Sequence, residues 1–210
     1  MIKVIPFIYE DYDDLCANTY VLIDDLKQCV VIDPSKDNEN LVNYLKRNKL
    51  ELKGILLTHG HIDHFKGIQR LLNFKKVEVF ISFDEEEVIK NPYNNGSIYI
   101  NGESYSFSGP FSYLKNKDVI NIINCEIVAL ATPYHTIGSM SYYIKDISCI
   151  FTGDSLFKNS IGRTDFPTGN KKQLLPTLER LLSLPGDTKV YPGHGKNTLI
   201  KNEVNIIKFI

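Results

Sequence analysis

Tryptophan is absent from this 210-residue chain, methionine occurs twice, and no run of about 18 uninterrupted apolar residues is found that could cross a membrane as a helix. The stretch Met1 to Glu10 holds an apolar run too short for a secretory signal core, and it lacks a small-residue cleavage site. A cytoplasmic protein without a membrane partner is therefore expected. Charge of one sign is also missing. Lys and Arg number 24 against 25 Asp and Glu, the formal charge is −1, and no basic run exceeds two residues. That excludes the electrostatic footprint of a nucleic-acid binder and leaves a small molecule as the expected partner. Cysteine is sparse: Cys16, Cys29, Cys125 and Cys149 stand far apart without a CxxC pair. None lies beside a histidine or in a glycine-rich turn, so reduced core thiols are expected rather than a disulfide framework or a catalytic thiol. A Gly-x-Ser-x-Gly nucleophile elbow is missing as well.

What is present suits one globular domain over residues 1–210, with 43% apolar and 23% charged residues. Val- and Ile-rich runs predict strands at Lys3–Tyr9, Thr19–Ile23, Cys29–Ile32 and Gly54–Leu57, read as an antiparallel meander. Leu41, Val42 and Leu45 recur at helical spacing within Asn38–Asn48, and Phe65–Phe74 repeats the pattern. A strand at Val77–Ile81 and an acidic helix near Asp84–Lys90 follow. Residues 91–117 turn to Asn, Gly, Ser and Tyr without helical period, predicting an irregular or β-rich excursion. The second half restarts with strands at Ile127–Ala131, Met140–Ile144 and Cys149–Phe151, a helix at Gln173–Leu182, a strand at Lys189–Tyr191 and a helix around Leu199–Phe209. Two sheets packed face to face with helices outside would bury both sets of apolar faces.

The chemistry concentrates in turns that follow predicted strands. Thr58-His59-Gly60-His61-Ile62-Asp63-His64 leaves the run Ile55-Leu56-Leu57 with four metal-binding side chains in six residues. Buried together, three imidazoles and a carboxylate offer more lone pairs than nearby donors satisfy, a problem that a divalent cation resolves. His135 lies in Ala131-Thr132-Pro133-Tyr134-His135-Thr136-Ile137-Gly138-Ser139, Asp154 in Phe151-Thr152-Gly153-Asp154-Ser155, and His194 in Tyr191-Pro192-Gly193-His194-Gly195. All five histidines of the chain fall in these turns and none in a predicted helix, a distribution that favours one shared site over scattered structural roles.

His59, His61, Asp63 and His64 match the HxHxDH signature, so the chain resembles the metallo-β-lactamase superfamily over nearly its whole length. The resemblance implies an α/β (α+β) fold, a four-layer αββα sandwich of two mixed sheets flanked by helices. It also implies two divalent cations, zinc foremost, with iron or manganese as alternatives. His59, His61 and His135 would ligate the first, Asp63, His64 and His194 the second, and Asp154 would bridge them. Gly153-Asp154-Ser155-Leu156-Phe157 and Ile161-Gly162-Arg163-Thr164-Asp165-Phe166-Pro167 look most like the single-domain glyoxalase II-like thioesterases. The implied activity is hydrolysis of S-acylglutathione or a related thioester by a bridging hydroxide that Asp63 and Asp154 orient.

Arg163 matches a basic position that contacts glutathione in the two-domain glyoxalase II enzymes, whereas Asp165 and Lys196 replace family tyrosines. An ion pair with Asp165 is the equal structural reading of Arg163. Tyr134 and Ile137 depart from the usual Gly and Pro, which predicts a narrower pocket. Two rival functions remain open: a mononuclear iron persulfide dioxygenase, a related family that also shows the Gly-Arg-Thr-Asp-Phe run, and a non-catalytic domain braced by metal. The second is opposed by a ligand set of His and Asp rather than the Cys-rich closed tetrahedron of structural zinc.

Overall fold

Alternating side-chain direction along two neighbouring strands, each buried on both faces, sets the layers. In β1 (Lys3–Phe7), β2 (Thr19–Ile23) and β3 (Gln28–Ile32) the chain forms the expected antiparallel meander. Tyr20, Leu22, Val30 and Ile32 point into one apolar cluster, while Val21, Cys29 and Val31 point into another on the opposite face. This computed structural model describes residues 1–9, 16–100 and 102–209. Glu10, at the end of the first predicted stretch, and Asn101, within the 91–117 excursion, lie outside them.

The meander does not extend to the fourth strand. Helix α1 (Glu39–Arg47), capped by the Asn38 side chain accepting from the Asn40 amide, carries the chain back across the sheet. β4 (Glu51–Leu56) therefore runs parallel to β3, because a crossover of this length returns the chain to the edge where it began. A single turn, α2 (Ile62–Phe65), and α3 (Ile68–Phe74) make the same crossover to β5 (Glu78–Ser82). α4 (Glu86–Lys90) and α5 (Ser97–Ile100) then lead to β6 (Phe111–Leu114), parallel to β5 at the edge of a six-stranded sheet in sequence order. The 91–117 excursion is thus the crossover that supplies the sixth strand. It is pinned by Asn95, whose side-chain amide donates to the Ile89 and Tyr105 carbonyls.

The second sheet has β12 (Thr198–Leu199), β11 (Lys189–Pro192), β10 (Cys149–Gly153), β9 (Met140–Ile144), β8 (Cys125–Ala131) and β7 (Val119–Ile123) in that spatial order. Only β10 and β11 pair in parallel, joined through α6 (Leu174–Leu182). The predicted last helix divides into α7 (Ile200–Glu203) and a 3₁₀ turn at Ile206–Phe209. Between the sheets lie Leu56, Ile127, Met140, Tyr142, Phe151 and their neighbours. Leu41, Leu45, Ile68 and Leu71 cover the outer face of the first sheet, and Leu174, Leu178 and Leu181 cover that of the second. The four-layer αββα sandwich expected from the resemblance is present.

Strand direction positions the site. β9 is antiparallel to both β8 and β10, and β10 is parallel to β11, so β8, β10 and β11 end on one rim. The loop after β4 reaches the same rim, where the Met140 amide donates to the Thr58 carbonyl at 2.8 Å. Among the described residues no helix is long and apolar enough to cross a membrane.

Candidate metal centre

Each strand ending at this rim delivers one part of the cluster. His59 and His61 sit in the loop after β4, Asp63 and His64 on α2, His135 after β8, Asp154 after β10 and His194 after β11. All seven meet. His61 Nδ1 lies 3.1 Å from His59 Nε2 and 3.0 Å from His135 Nε2. His194 Nε2 lies 3.0 Å from Asp63 Oδ2. Asp154 stands between the two groups, with Oδ2 3.5 Å from His135 Nε2 and Oδ1 3.2 Å from His64 Nε2. Three sets have ligand atoms within 4.8 Å of one another: His59, His61 and His135; His59, His64 and Asp154; and Asp63, His64 and His194.

Outer partners decide which ring nitrogen faces inward. Asp33 accepts from the Thr58 amide at 2.8 Å and from its hydroxyl at 2.7 Å, and from His64 Nδ1–H at 2.9 Å. With the Thr58 proton so committed, its oxygen accepts from His59 Nδ1–H at 3.1 Å. His135 Nδ1–H donates to the Arg163 carbonyl at 2.8 Å. The Nε2 lone pairs of His59, His64 and His135 are therefore all turned into the cluster.

Inside, the polar atoms are short of partners. His61 Nε2 is buried without a hydrogen bond, His64 Nε2 and Asp154 Oδ1 have only each other, and the Nε2 atoms of His59 and His135 share the single nitrogen His61 Nδ1. Burial, then His64, His61 and His135, push the His59 pKa well down, and burial with His135 takes His61 to about 3. Burial alone would lower His64 too, but Asp63, Asp154 and Asp33 outweigh it and hold that ring well above its ordinary value. Burial opposes ionisation of Asp154, yet His194 and His64 hold its pKa well below the usual range. The surroundings of His59 and His61 thus favour neutral imidazoles, while around His64 and His194 the carboxylates Asp63 and Asp154 demand positive charge. The donor chemistry fits divalent cations.

Asp33, next to Pro34, is not among the site residues expected from the sequence, yet it organises two of the inward-facing rings. Its φ of +48° is a left-handed backbone conformation at a non-glycine residue. Replacing it by Ala strands the Thr58 amide and His64 Nδ1–H in the interior. Urea unfolding of the metal-free proteins should show Asp33→Ala less stable by about 3 kcal/mol, from one to two orphaned buried donors. Asn18 is another residue that the sequence did not flag. Its amide donates to the Pro192 and Gly195 carbonyls, each at 3.0 Å, and so holds the His194 turn.

Tyr134 corrects the expectation of a narrowed pocket. Its side chain is fully buried beneath the rim, where its hydroxyl donates to the Ser155 carbonyl and accepts from the Gly162 amide. Ile137 is 52% exposed. Arg163 makes the alternative ion pair, Nε and Nη2 reaching the two Asp165 oxygens at 2.6 and 2.7 Å, and its guanidinium stacks on Phe166 at 3.9 Å. Phe166 in turn packs edge-on against His61 at 5.6 Å and near Tyr99 at 5.7 Å, so an aromatic wall flanks the cluster.

A family profile described as the metallo-beta-lactamase superfamily matches residues 13–194, and the chain belongs to that family. It is 35% identical over 188 residues to "Probable metallo-hydrolase YqgX" of Bacillus subtilis (strain 168), spanning 89% of each chain. It is 29% identical to "Hydroxyacylglutathione hydrolase GloC" of Haemophilus influenzae, again over 89% of both. Among solved structures, the BLEG-1 B3 metallo-beta-lactamase superposes with a TM-score of 0.88 at 35% identity, covering 98% of this chain and 97% of that one. TTHA1623 in a di-iron-bound form superposes with a TM-score of 0.85 at 28% identity, covering 98% and 100%.

Proposed function

We propose that this chain is a dinuclear metallo-hydrolase of thioesters, glyoxalase II-like, acting as one domain in the cytoplasm on a small-molecule S-acyl substrate such as S-lactoylglutathione. The observation that carries the reading is the sharing of one carboxylate, Asp154, between two converging donor sets. His59, His61 and His135 would hold one cation, Asp63, His64 and His194 the other, and zinc is the metal proposed. Bound there, the cations polarise a carbonyl and lower the pKa of coordinated water to about 7.

The chain's own residues supply the rest. Asp63 and Asp154, kept ionised by the neighbouring histidines, would bind the cations and accept hydrogen bonds from water so as to orient it, while Asp33, Thr58 and the Arg163 carbonyl fix the rings. Phe166 and Tyr99 wall off one side. Three of the four cysteines are poor rival nucleophiles, because burial pushes the Cys29 and Cys149 thiols to about 12 and Cys125 to about 11. Likeness to a hydroxyacylglutathione hydrolase supports glutathione as the thiol, with Arg163 as the side chain that reaches it. Likeness to a B3 metallo-beta-lactamase supports a second reading, hydrolysis of a lactam amide at the same centre.

Purified protein analysed for metal by mass spectrometry, then assayed with a panel of thioesters and a β-lactam, tests both. Two metal equivalents with thioester turnover are expected. Lactam cleavage alone transfers the assignment to the second reading. A single iron with oxygen uptake on a persulfide overturns hydrolysis in favour of the dioxygenase.

A further inference from the structure

The acidic run Asp84-Glu85-Glu86-Glu87 reads as the solvated start of a helix, yet Glu85 is fully buried. Its oxygens are divided between two loops: Oε2 accepts from the Gly60 amide at 2.6 Å and Oε1 from the Gly138 amide at 2.7 Å. The Thr136 hydroxyl adds a third hydrogen bond. Gly60 lies between His59 and His61, and Thr136 follows His135. One carboxylate thus ties together, across the two sheets, both loops that carry the three histidines of the first donor set.

Each loop approaches the segment that carries Glu85 as closely as chain chemistry allows. A Cβ on Gly138 would stand 2.9 Å from the Glu85 amide nitrogen and from Asp84 Cβ, and one on Gly60 would stand 2.9 Å from the Ile89 nitrogen. Both glycines are therefore the residues that let two backbone amides reach one buried side chain. Burying a carboxylate with amide and hydroxyl partners rather than a cation is costly, and burial drives the Glu85 pKa up to about 7 against the pull of its three donors. An apolar brace would have joined the same loops at lower cost.

We infer that Glu85 is a positioning residue for the metal centre, its carboxylate holding the His59–His61 loop and the His135 loop in register so that their inward nitrogens meet. The inference rests on the dinuclear reading above. It requires two acceptor oxygens: glutamine has the same shape but offers one acceptor and one NH₂ group, which must face either the Gly60 or the Gly138 N–H.

The test uses full-length wild type, Glu85→Gln and Glu85→Asp, stripped of metal and titrated with Co²⁺ alone while the visible absorption is followed. Thermal midpoints of the metal-free proteins are measured in parallel. Glu85→Gln is expected to weaken one Co²⁺ equivalent by 10–100-fold and to shift its band, as loss of an outer partner does, with the other equivalent far less affected. Glu85→Asp keeps both acceptors on a shorter arm and should recover part of that affinity. Coincident isotherms and spectra for wild type and Glu85→Gln, whatever their midpoints, reduce Glu85 to a structural brace and overturn the inference while leaving the metal centre intact. A wild type that takes up no Co²⁺ overturns both. Should Glu85→Gln fail to fold, Thr136→Val removes one of the three donors, and an unchanged isotherm in that protein counts against the inference in the same way.

Discussion

Asp154→Asn is expected to lower the proposed thioesterase activity more than 100-fold and to retain fewer than two metal equivalents. The substitution keeps shape and volume, so the fold has no packing reason to change. What changes is the number of acceptor oxygens at the one residue that faces both donor sets, Oδ2 toward His135 and Oδ1 toward His64 and His194. The amide turns an N–H toward one of the two sets and removes a negative charge from a buried site. In wild type that charge is stabilised by His194 and His64 despite burial. Losing an outer-shell partner of a metal ligand costs about 10–100-fold, and losing an inner shared donor exceeds that range. Steady-state kcat/KM on S-lactoylglutathione and metal content by mass spectrometry measure the two effects. A variant with wild-type turnover and two equivalents shows that Asp154 is a turn residue, and the dinuclear assignment goes with it.

How much of this was legible from residues alone follows from how local each signal is. His59, His61, Asp63 and His64 announce themselves because four donors fall in six residues after an apolar run. His135, Asp154 and His194 were readable because each follows a strand-like run in a glycine-containing turn. Their meeting at one rim depends on the parallel course of β8, β10 and β11, which sequence periodicity does not encode. Asp33 and Glu85 were illegible for a different reason. Before a proline, an aspartate reads as a turn former, and within Asp84–Glu87 a glutamate reads as solvated; only tertiary burial separates them from such residues. In the fold, most strands with Val and Ile runs were found, whereas the edge strands β6, β7 and the two-residue β12 were not, β7 despite its run Val119-Ile120-Asn121-Ile122-Ile123. The β3 to β4 pairing was misread as antiparallel because the crossover role of α1 is a matter of topology rather than composition.

Chelation lowers the thermal midpoint by about 10 °C, and adding back a divalent metal restores it. Ligand present at about 1,000 times its dissociation constant stabilises the native state by about 4 kcal/mol, and a chain of this size moves by about 2–4 °C per kcal/mol. The structural reason lies in the cluster. Without cations, the inward Nε2 atoms of His59 and His135 compete at 3.1 and 3.0 Å for the one proton that His61 Nδ1 can offer, His61 Nε2 is buried unpaired, and His64 Nε2 and Asp154 Oδ1 have only each other at 3.2 Å. These costs fall on the folded state alone, because unfolding returns every group to water. Differential scanning fluorimetry of metal-loaded and chelated protein measures the shift, and a change below about 2 °C is too small for two tightly held cations. The result also divides catalysis from bracing. A metal that only braces the domain gives the same thermal shift with no thioester turnover in loaded protein, whereas the hydrolase gives both, lost together on chelation and regained together when metal returns.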